Sequence, residues 1–134
     1  MRLSKNHFML LICLSLSQFN TSLAADLPKD IMVAFNDGNA RMLAGFFNTR
    51  IELTIFDEEN IYSKTQAHQI LESFFHQFPP KEFYYIYHGG KDNSKYAIGE
   101  FNCTKNKFRV TIYLKNNDRK FLIHQLRIEH DNNQ

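Results

Sequence analysis

Apolar residues recur along this chain at two spacings, three-to-four in its first half and two in its second, so helices come before strands. Asp30 to Phe35 form the first helical stretch. Pro28 suits its first turn, where an amide hydrogen would have no partner, and Gly38 suits its C-terminal end. Asn39 can cap a second helix from Ala40 to Phe47, with Leu43, Ala44, Phe46 and Phe47 on the apolar side and Asn48 ending it. Ile51, Leu53 and Ile55 then alternate with Arg50, Glu52 and Thr54. That is a half-buried strand, turned at Asp57-Glu58-Glu59-Asn60, with Ile61-Tyr62 returning alongside. Ser63 and Gln66 have capping-box spacing at the head of a longer helix. Ala67, Ile70, Leu71, Phe74, Phe75 and Phe78 form its buried face, and Pro79-Pro80 stop it.

From residue 82 the period is two. Strands are predicted from Glu82 to His88, Tyr96 to Cys103, Lys107 to Lys115 and Lys120 to Glu129. Gly89-Gly90-Lys91-Asp92-Asn93, Thr104-Lys105-Asn106 and Asn116-Asn117-Asp118 are short connections, which makes the four strands an antiparallel meander. Phe108, Val110, Ile112 and Leu114 give the third of these strands a buried even-numbered face, and the long helix is expected to pack on it. In the last strand Leu122, Leu126 and Ile128 take the inward parity. His124 falls on that side, with Gln125 and Arg127 pointing away. Residues 82–88 are aromatic on both parities, which leaves that strand's orientation open. Helices followed by a meander define an α+β domain with the helices on one sheet face.

Residues 1–24 follow a different logic. Arg2 and Lys5 precede the apolar run Phe8 to Leu16, and a polar stretch ends at Ser22-Leu23-Ala24; these are the three regions of a secretory signal peptide, with cleavage expected after Ala24. The run is about half a bilayer-spanning helix, so no membrane span is expected in the mature chain. Ile12, where a lipoprotein signal has a small residue, argues against lipidation of Cys13. Removal of this segment leaves Cys103 as the one cysteine, a buried structural thiol with no partner for an intrachain disulfide. It also changes the charge. Sixteen basic against fourteen acidic residues becomes an even balance once Arg2 and Lys5 are gone, which disfavours nucleic acid as a partner. Residues 25–134 are enough for one core and too few for two domains.

The order of elements resembles the nuclear transport factor two-like (cystatin-like) cone, the fold that ketosteroid isomerase and scytalone dehydratase also use. Several segments sharpen the resemblance: Asp26-Leu27-Pro28 with Asp30-Ile31, Gly38-Asn39-Ala40, Glu52-Leu53-Thr54-Ile55, Tyr62-Ser63-Lys64, Gln69-Ile70-Leu71 with Phe74-Phe75, Gly89-Gly90-Lys91, Tyr96-Ala97-Ile98-Gly99 and Gln125-Leu126-Arg127-Ile128-Glu129. Together they are similar to the secreted bacterial domain-of-unknown-function family numbered four-seven-eight-three. That resemblance implies a small product exported by a Gram-negative bacterium, periplasmic or extracellular, and transfers no reaction.

No run of residues spells out a chemistry. His68, Glu72 and His76 share a helical stripe at metal-ligand spacing, but the stripe lies off the apolar face and lacks a fourth ligand, so it reads as a solvated surface. Asp57, Glu58 and Glu59 lack the ligand spacing and glycine of a calcium loop. Ser73, Ser94 and Cys103 have no nucleophile context, and Gly89-Gly90 has no following helix to present amides to a phosphate. Neither a metal nor a cofactor is expected.

Two functional readings follow. In the first, the open end of the cone holds a small apolar or amphipathic ligand between His124 and Tyr85, Tyr87 and Tyr62, with Tyr84 and Tyr96 nearby. A catalytic variant of that reading is an isomerase or dehydratase using the imidazole as acid or base. In the second, the face away from the helices presents Arg109, Thr111, Tyr113, Gln125 and Arg127 to a partner, such as a second copy. A noncatalytic exported binding or interaction domain covers both readings without an enzyme.

Overall fold

The computed structural model describes residues 26–132, so the segment read as a signal peptide and its cleavage junction lie outside the described residues. Two short helices open it. Helix α1 (Lys29–Asp37) follows Pro28 and ends at Gly38, whose φ of 61° is a left-handed conformation natural to glycine. Helix α2 (Ala40–Ala44) starts at Asn39, whose Oδ1 accepts from the Met42 amide at 2.9 Å. It is shorter than its sequence suggests, because Phe47 already belongs to the sheet: β1 (Phe47–Ile55) pairs there with the last strand.

Strand β2 (Glu58–Ser63) returns against β1 through the two-residue turn Phe56-Asp57. Phe56 has φ 57°, uncommon for an aromatic. Its amide donates to the Ile128 carbonyl at 2.8 Å, and its ring stacks on His130 at 4.4 Å, so tertiary contacts hold the turn where its sequence does not ask for one. Helix α3 (Lys64–Gln77) begins at the full Ser63/Gln66 capping box. Then come β3 (Glu82–Lys91), β4 (Ser94–Asn102), β5 (Lys107–Asn117) and β6 (Lys120–His130).

The six strands form one mixed sheet in the order β2-β1-β6-β5-β4-β3. The meander expected from the sequence is present, each of β3 to β6 pairing antiparallel with the next. The β1–β6 pairing is parallel and joins the N-terminal hairpin to the meander. Three boundaries differ from the sequence reading, the first being the β1–β2 turn, which falls at Phe56-Asp57 and leaves Glu58, Glu59 and Asn60 in β2. Gly89 and Gly90 lie within β3, and the hairpin turns on Asp92-Asn93, between the paired residues Lys91 and Ser94. The last hairpin turns on Asp118-Arg119, both at positive φ. Two bulges also reset parity. Ile86 is an extra residue in β3, and His124 is one in β6, where Leu114 faces Ile123 while Tyr113 faces Gln125.

The helices cover one face of the sheet, and a phenylalanine cluster fills the space between. Phe35 stacks on Phe83 at 4.5 Å, Phe74 meets Phe101 and Phe108 at 5.8 and 5.7 Å, and Phe78 meets Phe108 at 5.0 Å. The apolar face of α3 thus packs on the even-numbered residues of β5, as its spacing predicts, with Ile70 only partly buried at the margin. On β3, the amide side chain of Asn36 donates to the Phe83 carbonyl and accepts from its amide, both at 2.9 Å, tying α1 to the strand.

Candidate functional site

The residues singled out for a ligand pocket do not converge. Tyr62 stands on β2 and Tyr85 on β3, the opposite edges of the sheet, five strand spacings or about 24 Å apart. Each packs against the core from its own edge. Tyr85 pairs with Gly99, on the inner face. Its hydroxyl is buried without a hydrogen-bond partner, and burial pushes the phenol up to about 12. The bulge at Ile86 turns Tyr87 to the other face, where it is 51% exposed.

His124 requires a correction of parity. Because it is the bulged residue of β6, Ile123 rather than Leu122 takes the inward position beside Leu126 and Ile128. The imidazole lies at the crossing between faces, half-buried, with Nε2 buried and unpartnered. Desolvation, and secondarily the Lys115 charge, lower its pKa and favour the neutral ring. The alternation L-H-L conceals this, since a bulge leaves no residue signature of its own in such a run.

Space on the inner face is taken by side chains. The larger clefts lie elsewhere. One of about 500 Å³ is an open polar groove at the Phe56-Asp57 turn and Glu129 to Asn132, and another borders Cys103 and Lys105 at the β4–β5 loop. Cys103 is half-buried, and burial raises its thiol pKa, which keeps it protonated.

The outer face is organised differently. Strand register sets its residues in rows. Glu52, Gln125, Tyr113 and Tyr96 form one; Glu59, Thr54, Arg127, Thr111, Ile98 and Tyr87 form the next; Glu129, Arg109, Glu100 and Tyr84 form a third. Tyrosines gather toward β3, where the Tyr87 and Tyr96 rings lie 5.4 Å apart and Tyr84 stands opposite Glu100. Charges gather toward β1 and β2. Gln125 Nε2 donates to Glu52 Oε1 at 2.7 Å, Arg127 donates to Glu129 at 3.1 Å, and Arg109 stands 3.8 Å from Asp131. Glu52 and Glu59 are diagonal neighbours across β1 and β2, and their carboxyls interact. Each carboxyl is the main influence on the other, drawing Glu52 below the usual carboxylate range, helped by Gln125 and Arg127, and pushing Glu59 above it. The sequence reading named Arg109, Thr111, Tyr113, Gln125 and Arg127 but not Glu52 or Glu59. Only the β1–β2 register, which places Thr54 opposite Glu59, brings those carboxyls together.

The family model for a domain of unknown function, DUF4783, matches residues 28–129, nearly all of the described chain. The chain belongs to the DUF4783 family. Two solved DUF4783 proteins superpose closely. The one from Bacteroides ovatus is 27% identical, with 79% of this chain and 96% of that one covered and a TM-score of 0.76. The one from Bacteroides uniformis is 25% identical, covering 80% and 99%, also at 0.76. A domain of unknown function with a cystatin-like fold from Nostoc punctiforme shares the architecture at 9% identity, covering 77% and 72%, with a TM-score of 0.61. The DUF4783 chain thus has the NTF2-like, cystatin-like α+β fold expected from its sequence. No curated protein matches the sequence. Among its described residues no helix is long and apolar enough to cross a membrane.

Proposed function

We propose that this DUF4783 protein is an exported, noncatalytic interaction domain whose outer sheet face seats a second copy of itself. The observation that carries this is the contrast between the faces: the inner one is closed by phenylalanine packing, while the outer one leaves Tyr84, Tyr87 and Tyr96 exposed at one end of rows that also carry Arg109 and Arg127. Tyrosine and arginine are the residues most enriched where proteins bind. Six strands about 4.8 Å apart and about 30 Å long present about 700 Å², close to the roughly 800 Å² each partner contributes to a standard interface.

A two-fold copy fits the distribution of charge. The face carries both signs, with Arg109 and Arg127 on one side of the balance and Glu52, Glu100 and Glu129 on the other, so a rotated copy can place acid against base. The ligand-pocket reading has narrower support. It rests on the unpartnered Tyr85 hydroxyl and His124 Nε2, which stand on strands three spacings apart, about 14 Å, too far for one small molecule to satisfy both.

Export rests on the charged, apolar and small-residue segments of residues 1–24. Sedimentation equilibrium of the chain beginning at residue 25 tests the assembly. A concentration-dependent dimer that Tyr113→Ala with Arg127→Ala dissociates is expected, and a monomer throughout the accessible range would overturn the reading. Intact mass of protein from the native host tests export; a chain retaining Met1 would refute it.

A further inference from the structure

We infer that the second copy seats on the outer face with one proton held between Glu52 and Glu59 in each protomer, so that the assembly tightens as the surroundings acidify. The inference rests on the outer-face reading above and adds its regulation.

Register supplies the geometry. Glu52 faces Ile61 and Thr54 faces Glu59, so the two glutamates are diagonal neighbours on one face of the β1–β2 hairpin. The groups around them can be named strand by strand. On β1, Arg50 is exposed, at the same parity as Glu52. On β6, Gln125 donates to Glu52, and Arg127 turns to Glu129 at 3.1 Å. On β5, Arg109 lies toward Asp131, and Tyr113 is Gln125's neighbour. Around Arg127, three carboxyls (Glu52, Glu59 and Glu129) surround one guanidinium. Beneath them Thr54 is 3% exposed, and its Oγ1 lacks a hydrogen-bond partner.

In the free protomer this corner faces water, which screens the adjacent carboxylates. Under a second copy the water is displaced. Two neighbouring carboxylates cannot both remain ionised in a desolvated site, so docking at neutral pH must either leave the corner splayed or take up a proton. With Glu59 protonated, its hydroxyl donates to the Glu52 carboxylate, which also keeps the Gln125 bond, and the local charge falls by one in each copy. The directions already present in the free chain agree, Glu59 being displaced upward and Glu52 downward. Binding that takes up protons strengthens as pH falls, by linkage.

The test is sedimentation equilibrium of the chain from residue 25, wild type and Glu59→Gln, at about pH 7.5 and about pH 5, with circular dichroism confirming the fold at each. Glutamine keeps a donor for Glu52 and removes the ionisation. The wild-type dimer is expected to be at least about tenfold tighter at the lower pH. The Glu59→Gln dimer should already be tight at the higher pH and nearly indifferent to acidification. A wild-type dimer of equal affinity at both values would overturn the proton inference and leave the outer-face reading standing. Acid tightening that persists in Glu59→Gln would assign the effect to another group and also overturn it. Monomers for both proteins at both values would overturn the outer-face reading and this inference together.

Discussion

The two faces of this sheet are built by the same strands from alternate residues, and the aromatic rings on them differ by a hydroxyl. Phenylalanines dominate the inner face: Phe47, Phe83, Phe101 and Phe108 are all buried. Four of the six tyrosines, Tyr84, Tyr87, Tyr96 and Tyr113, point outward. A buried phenol must find a partner or bear the cost of desolvation, whereas a phenol at the surface keeps water on its hydroxyl and offers its ring to a partner. Tyr62 and Tyr85 are the two that turn inward, and both sit on edge strands, where the core thins. Stability is therefore concentrated on one face, and the other is left for contact.

The sharpest way to break that comparison is to truncate one ring on each side. Phe74 meets Phe56, Phe75, Phe78, Phe101 and Phe108, so Phe74→Ala opens a cavity at the centre of the cluster and should cost about 3 to 5 kcal/mol in denaturant unfolding. Tyr113→Ala, measured at concentrations where the chain is monomeric, should cost under about 1 kcal/mol because no cavity forms on an open face. Similar losses for the two would mean that the outer face also carries stability.

How much of this was legible in the sequence depends on how local each feature is. The α3 capping box and the even-numbered face of β5 arise from spacing within one segment, and both appear where that spacing predicts. The bulges at Ile86 and His124 do not arise that way. They interrupt the alternation of each strand, and they moved Tyr87 outward and put Ile123, not Leu122, in the core. Gly89-Gly90 has the composition of a turn, yet the hairpin closes two residues later, and Gly90 is used inside β3 instead, at a φ of 147° where a Cβ would collide with the Ser94 carbonyl oxygen. The Glu52–Glu59 pair needs the register of two strands, which no single strand's alternation contains.

A smaller effect sharpens why the inner face tolerates so little. Gly99 faces Tyr85 on the edge strand, and a Cβ there would stand 2.5 Å from the Phe83 ring. Gly99→Ala must displace a ring that itself stacks on Phe35, so it should cost about 1 to 3 kcal/mol as overpacking. Ile98→Ala, one residue away on the outer face, makes no such demand and should cost less. If the order were reversed, the ring would have room to move and the inner face would be less completely filled than its contacts indicate.

The smallest expected effect lies where the two faces exchange, at His124. Its pKa is lowered in the folded chain, first by desolvation and then by Lys115, so the unfolded chain binds more protons in the region just below the ordinary histidine value. The sign follows from linkage. Above about pH 7 the imidazole is neutral in both states and the shift contributes nothing, and as pH falls through about 6.5 toward the lower folded value stability is lost. His124→Leu removes that titration. The variant should match or exceed the wild type in acid and should flatten the decline in melting temperature between about pH 7 and pH 5. A loss of about 1 kcal/mol at neutral pH would instead reveal a hydrogen bond that the neutral ring makes in the folded state. An unchanged pH profile would mean that the imidazole is equally hydrated in both states, and that the bulge positions it in water at the boundary instead of inside the sheet.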